Sequence, residues 1–196
     1  MRLVGFAGVE LVAVLGVTLQ FLQSGDPRFP LLYFTVDSVV LFAAVAPLCW
    51  RGPTIPRMAL LESSVAGMLL SALVFWGGIV PVNGMGAPNL TLILANIVLH
   101  SLAPIGGLRV LLQLPYNAGA RGRSRLALWG AYPVLYTVVT FTLVARGVEP
   151  AYAFLSVNRV GLLAVLASST AALVLYFVIA FAVDKLVRRN RTNATG

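Results

Sequence analysis

Apolar residues in this chain fall into six long runs: roughly Leu3–Leu22, Leu31–Trp50, Met58–Val80, Leu90–Leu112, Leu126–Ala145 and Val160–Val187. Each reaches the ~20 residues that a helix rising ~1.5 Å per residue needs to cross ~30 Å of hydrocarbon. The breaks between runs carry turn punctuation, from Gly25-Asp26-Pro27-Arg28 and Arg51-Gly52-Pro53 to the glycine- and proline-rich stretch Pro81 to Pro88. A basic break, Pro115 to Arg125, and one containing Glu149-Pro150 complete the set. The pattern predicts an all-α integral membrane bundle of six transmembrane helices, one domain over 1–187 with a basic cytoplasmic tail over 188–196. The first run holds Glu10 and no small-x-small cleavage site, so it reads as a retained helix rather than a signal peptide. The halves do not repeat in charged positions, which gives an inverted-repeat transporter no support.

Composition agrees with that class. The chain is 59% hydrophobic and 10% charged, against roughly 25% charge in a soluble domain. Charge adds an orientation. With the N-terminus inside, Arg2, Arg51, Arg57, Arg109, Arg121, Arg123, Arg125, Lys185, Arg188, Arg189 and Arg191 are cytoplasmic. Only Arg28, Arg146 and Arg159 lie outside. Short basic loops stay in the cytoplasm, so both termini are expected there. The net charge of +8 then calls for anionic headgroups, not nucleic acid. All but one of the basic residues are arginine, which together with abundant Ala, Val, Leu and Gly suggests a GC-rich bacterial source.

Candidate chemistry starts at the lone histidine. His100 lies midway along the fourth run, where an ionisable side chain is costly and faces the protein interior or a cavity. Asn96, Ala103 and Gly107 share its helix face by spacing. Pro104 removes the hydrogen bond to the carbonyl of His100 itself, leaving an unpaired acceptor at a kink. In the second run Thr35 and Ser38 share one face, while Asp37 points the other way. A threonine hydroxyl becomes a nucleophile beside a base such as histidine; alone it bonds its own helix. In the fifth run Tyr132, Tyr136 and Thr140 form a polar stripe beside Pro133 that is expected to face inward, orienting His100, donating to an oxyanion or bonding structurally. Among the acids, Glu62 is expected to pair with Arg57, and Asp37 to reach Arg146 or Arg159. Glu10 lies deeper, protonated or paired. Their different depths exclude one metal cluster. A single histidine excludes bis-histidine haem ligation, and there is neither a two-histidine zinc motif nor a phosphate-binding glycine loop, so no cofactor is expected. Ser63, Gly67 and Ser71, and likewise Ala164, Ser168 and Ala172, form small-residue ladders expected to pack helices.

These residues resemble motifs of the androgen-induced membrane protein family, the relatives of the androgen-dependent TFPI-regulating protein, and of its bacterial six-span branch. The family's Tyr-x-Thr element corresponds to Tyr33-Phe34-Thr35, and its Asn-x-x-x-His with a following proline to Asn96, His100, Ser101 and Pro104. Tyr132, Pro133 and Tyr136 match a fifth-span Tyr-Pro-x-x-Tyr, and Tyr152-Ala153-Phe154 echoes an aromatic element of the last outer loop. The chain departs from the bacterial pattern at Asp37-Ser38-Val39, at Ala153 where a proline is usual, and at Arg109. The resemblance implies an intramembrane hydrolase of fatty acid esters with Thr35 as nucleophile and His100 as base. Asn96, Ser38, Tyr132 and Tyr136 are the supporting candidates, and membrane lipids or a lipid ester the partners. Two alternatives stay open: a non-enzymatic bundle that binds lipid or a partner, and a small carrier using Glu10 and His100.

Overall fold

The computed structural model describes residues 2–24, 30–83, 89–114 and 123–192. Among them there is no strand, and six helices are long and apolar enough to cross a membrane. These are α1 (Gly5–Ser24), α2 (Phe34–Arg51), α3 (Ile55–Ile79), α4 (Leu90–Gln113), α5 (Leu126–Ala145) and α6 (Leu162–Asn190). The chain is an all-α multi-pass membrane protein. In hydrocarbon a helix satisfies its backbone internally, which is why the apolar runs and the helices coincide to within a few residues. The last helix continues through the first basic residues of the expected tail, where Arg188 pairs with Asp184 one turn earlier at 2.8 Å.

Burial singles out α3 as the axis of the bundle. Its apolar window is 72% buried, against 17% in α1 and α5 and 11% in α6. The Ser63–Gly67–Ser71 ladder explains part of this. A Cβ on Gly67 would press on Ser38 Cβ and the Phe34 ring at 3.2 and 3.3 Å, so glycine lets α2 seat closely on α3. Gly107 gives α4 a similar approach to Met68 of α3, and Gly16 and Gly106 do so between α1 and α4. The ladder in α6 behaves otherwise. Ala164 is exposed and Ser168 only partly buried, with its hydroxyl reaching the Phe154 carbonyl (3.3 Å) and that of Val165 (3.1 Å). The buried stripe of α6 is instead Val165, Tyr176, Ala180, Val183 and Val187.

The bundle has two ends. One, toward the termini, carries the start of α1 and the last turn of α6; the other carries the short 3-10 turns Pro30–Leu32 and Ala153–Leu155, and is called the loop end below. Toward the termini, α3, α5 and α6 are joined by polar bonds inside the core. Tyr176 donates to the Trp129 carbonyl at 3.0 Å and shares a short hydrogen bond with Ser63. Ser64 donates to Leu61 O at 2.8 Å, and Trp129 Nε1 donates to Glu62 at 3.1 Å. Glu62 is therefore not the edge acid paired with Arg57. It is fully buried, while Arg57 turns back to the carbonyls of Gly52 and Leu48 at the end of α2. The arginine completes the acceptors that a helix C-terminus leaves open, which explains its choice.

At the loop end the helices are irregular. Two π turns, Phe75–Ile79 in α3 and Val98–Leu102 in α4, accompany the residues Trp76 and His100. The second follows from Pro104: with no N–H there, the backbone rewinds and Ala103 N–H bonds Val98 O, five residues back.

Candidate functional site

A cavity of about 600 Å³ occupies the loop end. Thr35, Asn96, His100 and Tyr136 all line it, together with Gln20, Ser71, Phe75, Tyr152 and Ser169. The volume lies within the range of ~300–1,000 Å³ typical of ligand pockets.

Thr35 reaches the cavity because α2 starts late. Leu31 and Leu32 belong to the 3-10 turn, Tyr33 is extended (φ −93°, ψ 121°), and the helix begins at Phe34. Thr35 thus stands in the first turn, where backbone N–H groups lack intrahelical acceptors and the helix dipole is positive. Its side chain is 3% exposed, and Oγ1 makes no hydrogen bond. Tyr152 borders the same cavity. Burial pushes the Tyr152 phenol up to about 12, opposed by the Thr35 hydroxyl and backbone, so at neutral pH it keeps its proton.

His100 is held by two contacts from α3. Its ring stacks on Phe75 with centroids 4.0 Å apart and planes 4° from parallel. The carbonyl released by Pro104 is not left open, as the sequence suggested: Trp76 Nε1 donates to it at 3.0 Å and lies 3.1 Å from Ser101 Oγ. The ring nitrogen Nδ1 is buried without a partner. Thr35 and His100 therefore share a cavity, each with an uncommitted polar atom, and are not hydrogen-bonded to one another.

The tyrosine stripe faces inward as expected, but it serves α2 and not His100. Tyr136 donates to Leu32 O at 2.9 Å. The Tyr132 hydroxyl lies 2.8 Å from Ser38 Oγ and 3.1 Å from Phe34 O, and Ser38 itself donates to Phe34 O at 2.7 Å. Phe34 stacks on Tyr132 with centroids 5.0 Å apart. These bonds pin the first turn of α2, so Tyr132 and Ser38 lie behind the nucleophile candidate while Tyr136 also borders the cavity. Asp37 does point away from Thr35, into a smaller niche of about 240 Å³ against Tyr132, Tyr136 and Leu143. It forms no ion pair with Arg146 or Arg159, because the niche turns it along α5 instead of toward the loop. Glu10 lines neither cavity, and its Oε1 is buried without a partner.

Three contributors escaped the sequence reading. Gln20, 8% exposed, brings an amide into the cavity from α1, and Ser169 brings a buried, unbonded hydroxyl from α6. Trp76 holds the His100 backbone. Its signal was legible: a tryptophan followed by Gly77-Gly78 inside an apolar run. Gln20 was a polar residue near the end of the first run.

Comparison with protein-family models, with curated proteins and with solved structures gives no match.

Proposed function

We propose that the chain is an intramembrane hydrolase of lipid esters, a bacterial relative of the androgen-induced membrane proteins, working in the cell membrane with both termini cytoplasmic. One observation carries this reading: a buried threonine hydroxyl and a buried imidazole nitrogen, both without partners, border one cavity. Buried polar atoms are nearly always bonded in folded proteins, so two free ones in one cavity call for an explanation beyond structure.

In the reaction, Thr35 Oγ1 attacks the ester carbonyl carbon while its proton passes to His100. The resulting oxyanion faces the first turn of α2, whose free N–H groups and positive dipole have the polarity it needs. Collapse of this intermediate breaks the bond to the alcohol oxygen, which takes the proton back from His100. Water, deprotonated by the same imidazole, then cleaves the Thr35 acyl ester and releases the carboxylic acid. Proton transfer between groups not bonded in the empty site needs a rotation of the Thr35 side chain or one intervening water, and catalytic bonds commonly tighten only on substrate binding.

The test is hydrolysis of p-nitrophenyl palmitate by purified protein, with a fluorophosphonate probe to trap the nucleophile. The expected adduct is on Thr35, absent in His100→Ala. Binding without turnover or adduct favours the second reading, a lipid-binding bundle, which the missing Thr35–His100 hydrogen bond supports. For the orientation, alkaline phosphatase fused after Gly196 is expected to be inactive and a fluorescent protein there to glow; the opposite result inverts the topology.

A further inference from the structure

The cavity has two unlike arms. Toward α1 and α4 it is polar, with Gln20, Gln23 and Asn96; toward α5 and α6 it runs along Thr137, Phe141, Ala172 and Leu173. The second arm exists because α5 and α6 join only near the termini. There the Trp129 and Phe181 rings meet edge to face at 5.6 Å, Tyr176 bonds the Trp129 carbonyl, and Phe177 covers Gly130. Nearer the loop end, among the described residues, no hydrogen bond or ring contact joins the two helices, and the cavity fills the gap. Leu173, in the wall of this arm, is 37% exposed.

The water side is covered. Tyr152 stacks on Phe154 and meets Tyr33 edge-on, with centroids 5.2 and 5.5 Å apart, and Leu155 is buried beneath them. Ser168 ties this segment to α6 through Phe154 O. At the far end of the cavity Gln20 is nine-tenths buried and makes no hydrogen bond among the described residues. An arm of Phe141, Ala172 and Leu173 with an exposed leucine in its wall, aromatic rings stacked on the loop side and an uncommitted amide on the other side describe a site for an amphiphile.

We propose that a long acyl chain passes sideways from the bilayer through the gap between α5 and α6, lies along Phe141 and Leu173, and presents its carbonyl group to Gln20 and Thr35. This rests on the hydrolase reading for what happens to the chain, not for where it binds. Ala172 sets the width of the arm. Its neighbour Ala171 is exposed to lipid and serves as a matched control.

The experiment uses methyl palmitate bearing a diazirine at the chain end, photolysed with Thr35→Ala protein in nanodiscs so that no turnover occurs, and adducts mapped by mass spectrometry. Adducts are expected on Phe141 or Leu173 and are competed by unlabelled methyl palmitate. Ala172→Trp lowers them about tenfold, a loss of about 1.4 kcal/mol in binding, while Ala171→Trp leaves them unchanged. Thr137→Trp fills the arm from the opposite helix and acts like Ala172→Trp, so a folding failure in one variant leaves the other as the test. Equal labelling in Ala172→Trp and Ala171→Trp, or adducts confined to lipid-facing residues such as Leu163, overturns the proposal. If adducts map as expected but Thr35-intact protein cleaves no ester, the acyl site stands and the hydrolase reading falls. If Ala172→Trp in the Thr35-intact background cleaves long-chain ester as fast as the parent, the acyl site falls and the hydrolase reading stands.

Discussion

Two clusters of buried polar residues in this bundle are handled in opposite ways, and Glu10 Oε1, unpartnered in α1 and bordering neither cavity, belongs to neither. Toward the termini, Ser63, Trp129 and Tyr176 find partners across α3, α5 and α6 while Ser64 bonds Leu61 within α3, and the helices close around them. Toward the loops, Thr35 Oγ1, His100 Nδ1 and Ser169 Oγ have none, and a cavity of about 600 Å³ separates the helices that carry them. An unsatisfied buried polar group costs roughly 1–3 kcal/mol. The satisfied end is what packing alone produces. In the proposed reading the unsatisfied groups meet their partners in a bound lipid, which would separate structural from functional polarity in one small protein.

The most severe way to break the comparison is to remove the free groups. Thr35→Ala and His100→Ala are each expected to lower kcat for long-chain ester at least about 10³-fold, with the double variant no worse, since members of one catalytic unit are strongly non-additive. Melting temperature in detergent is expected to hold for Thr35→Ala, because the lost hydroxyl bonds nothing. Additive losses in the two single variants, or full activity in either, would sink the pair.

Between the two ends runs the seam of α2 on α3. Gly67→Leu drives a side chain into Ser38 and the Phe34 ring, which support the first turn of α2. The expected loss is at least the ~1–3 kcal/mol of an overpacked core. Ser168→Leu, at a partly buried position, is expected to move the melting temperature less. Equal shifts would mean that the α6 ladder packs against a surface outside this chain.

At the satisfied end the expected effect is smaller and purely structural. Tyr176→Phe removes the donor to the Trp129 carbonyl and the short bond to Ser63 but leaves Ser63 Oγ bonded to that carbonyl at 3.3 Å, at a cost of about 1 kcal/mol. Activity per folded molecule should stay at the parent level. Tyr176 also borders the cavity, so a fall in kcat without a fall in stability would make its hydroxyl part of the site.

The helices were legible because the bilayer imposes one constraint on every residue in turn: about 20 apolar positions, then a break. Inward faces were legible where spacing alone decides, as for Tyr132, Tyr136 and Thr140. What spacing cannot show is which partner a polar group meets. Glu62 has Arg57 five residues away in sequence, yet its bond is to Trp129 on another helix. Ser38 shares a predicted face with Thr35, but the close approach allowed by Gly67 draws it toward Tyr132. The late start of α2 was equally hidden, because Leu31 and Leu32 are as apolar as the helix that follows. Gln20 enters the cavity through the packing of α1, which no local pattern encodes.

The finest test lies where the two kinds of polarity meet. Pro104 frees a carbonyl, a structural cost, and Trp76 repairs it with a hydrogen bond to His100, the residue proposed as the base. The π turn Phe75–Ile79 places Trp76 for this bond and its neighbour Phe75 flat against the ring, so one segment of α3 positions both backbone and side chain of His100. Trp76→Phe removes only the N–H. Its stability cost should be near the ~1 kcal/mol of one neutral hydrogen bond, since Trp76 is itself 39% exposed. A purely structural bond predicts that small drop and unchanged kinetics. If it positions the base, kcat falls severalfold while KM holds, because ring orientation matters in the transition state and not in binding the acyl chain. Trp76→His, which restores a ring N–H on a smaller frame, should then recover part of kcat. A KM change with constant kcat would instead make Trp76 part of the binding wall.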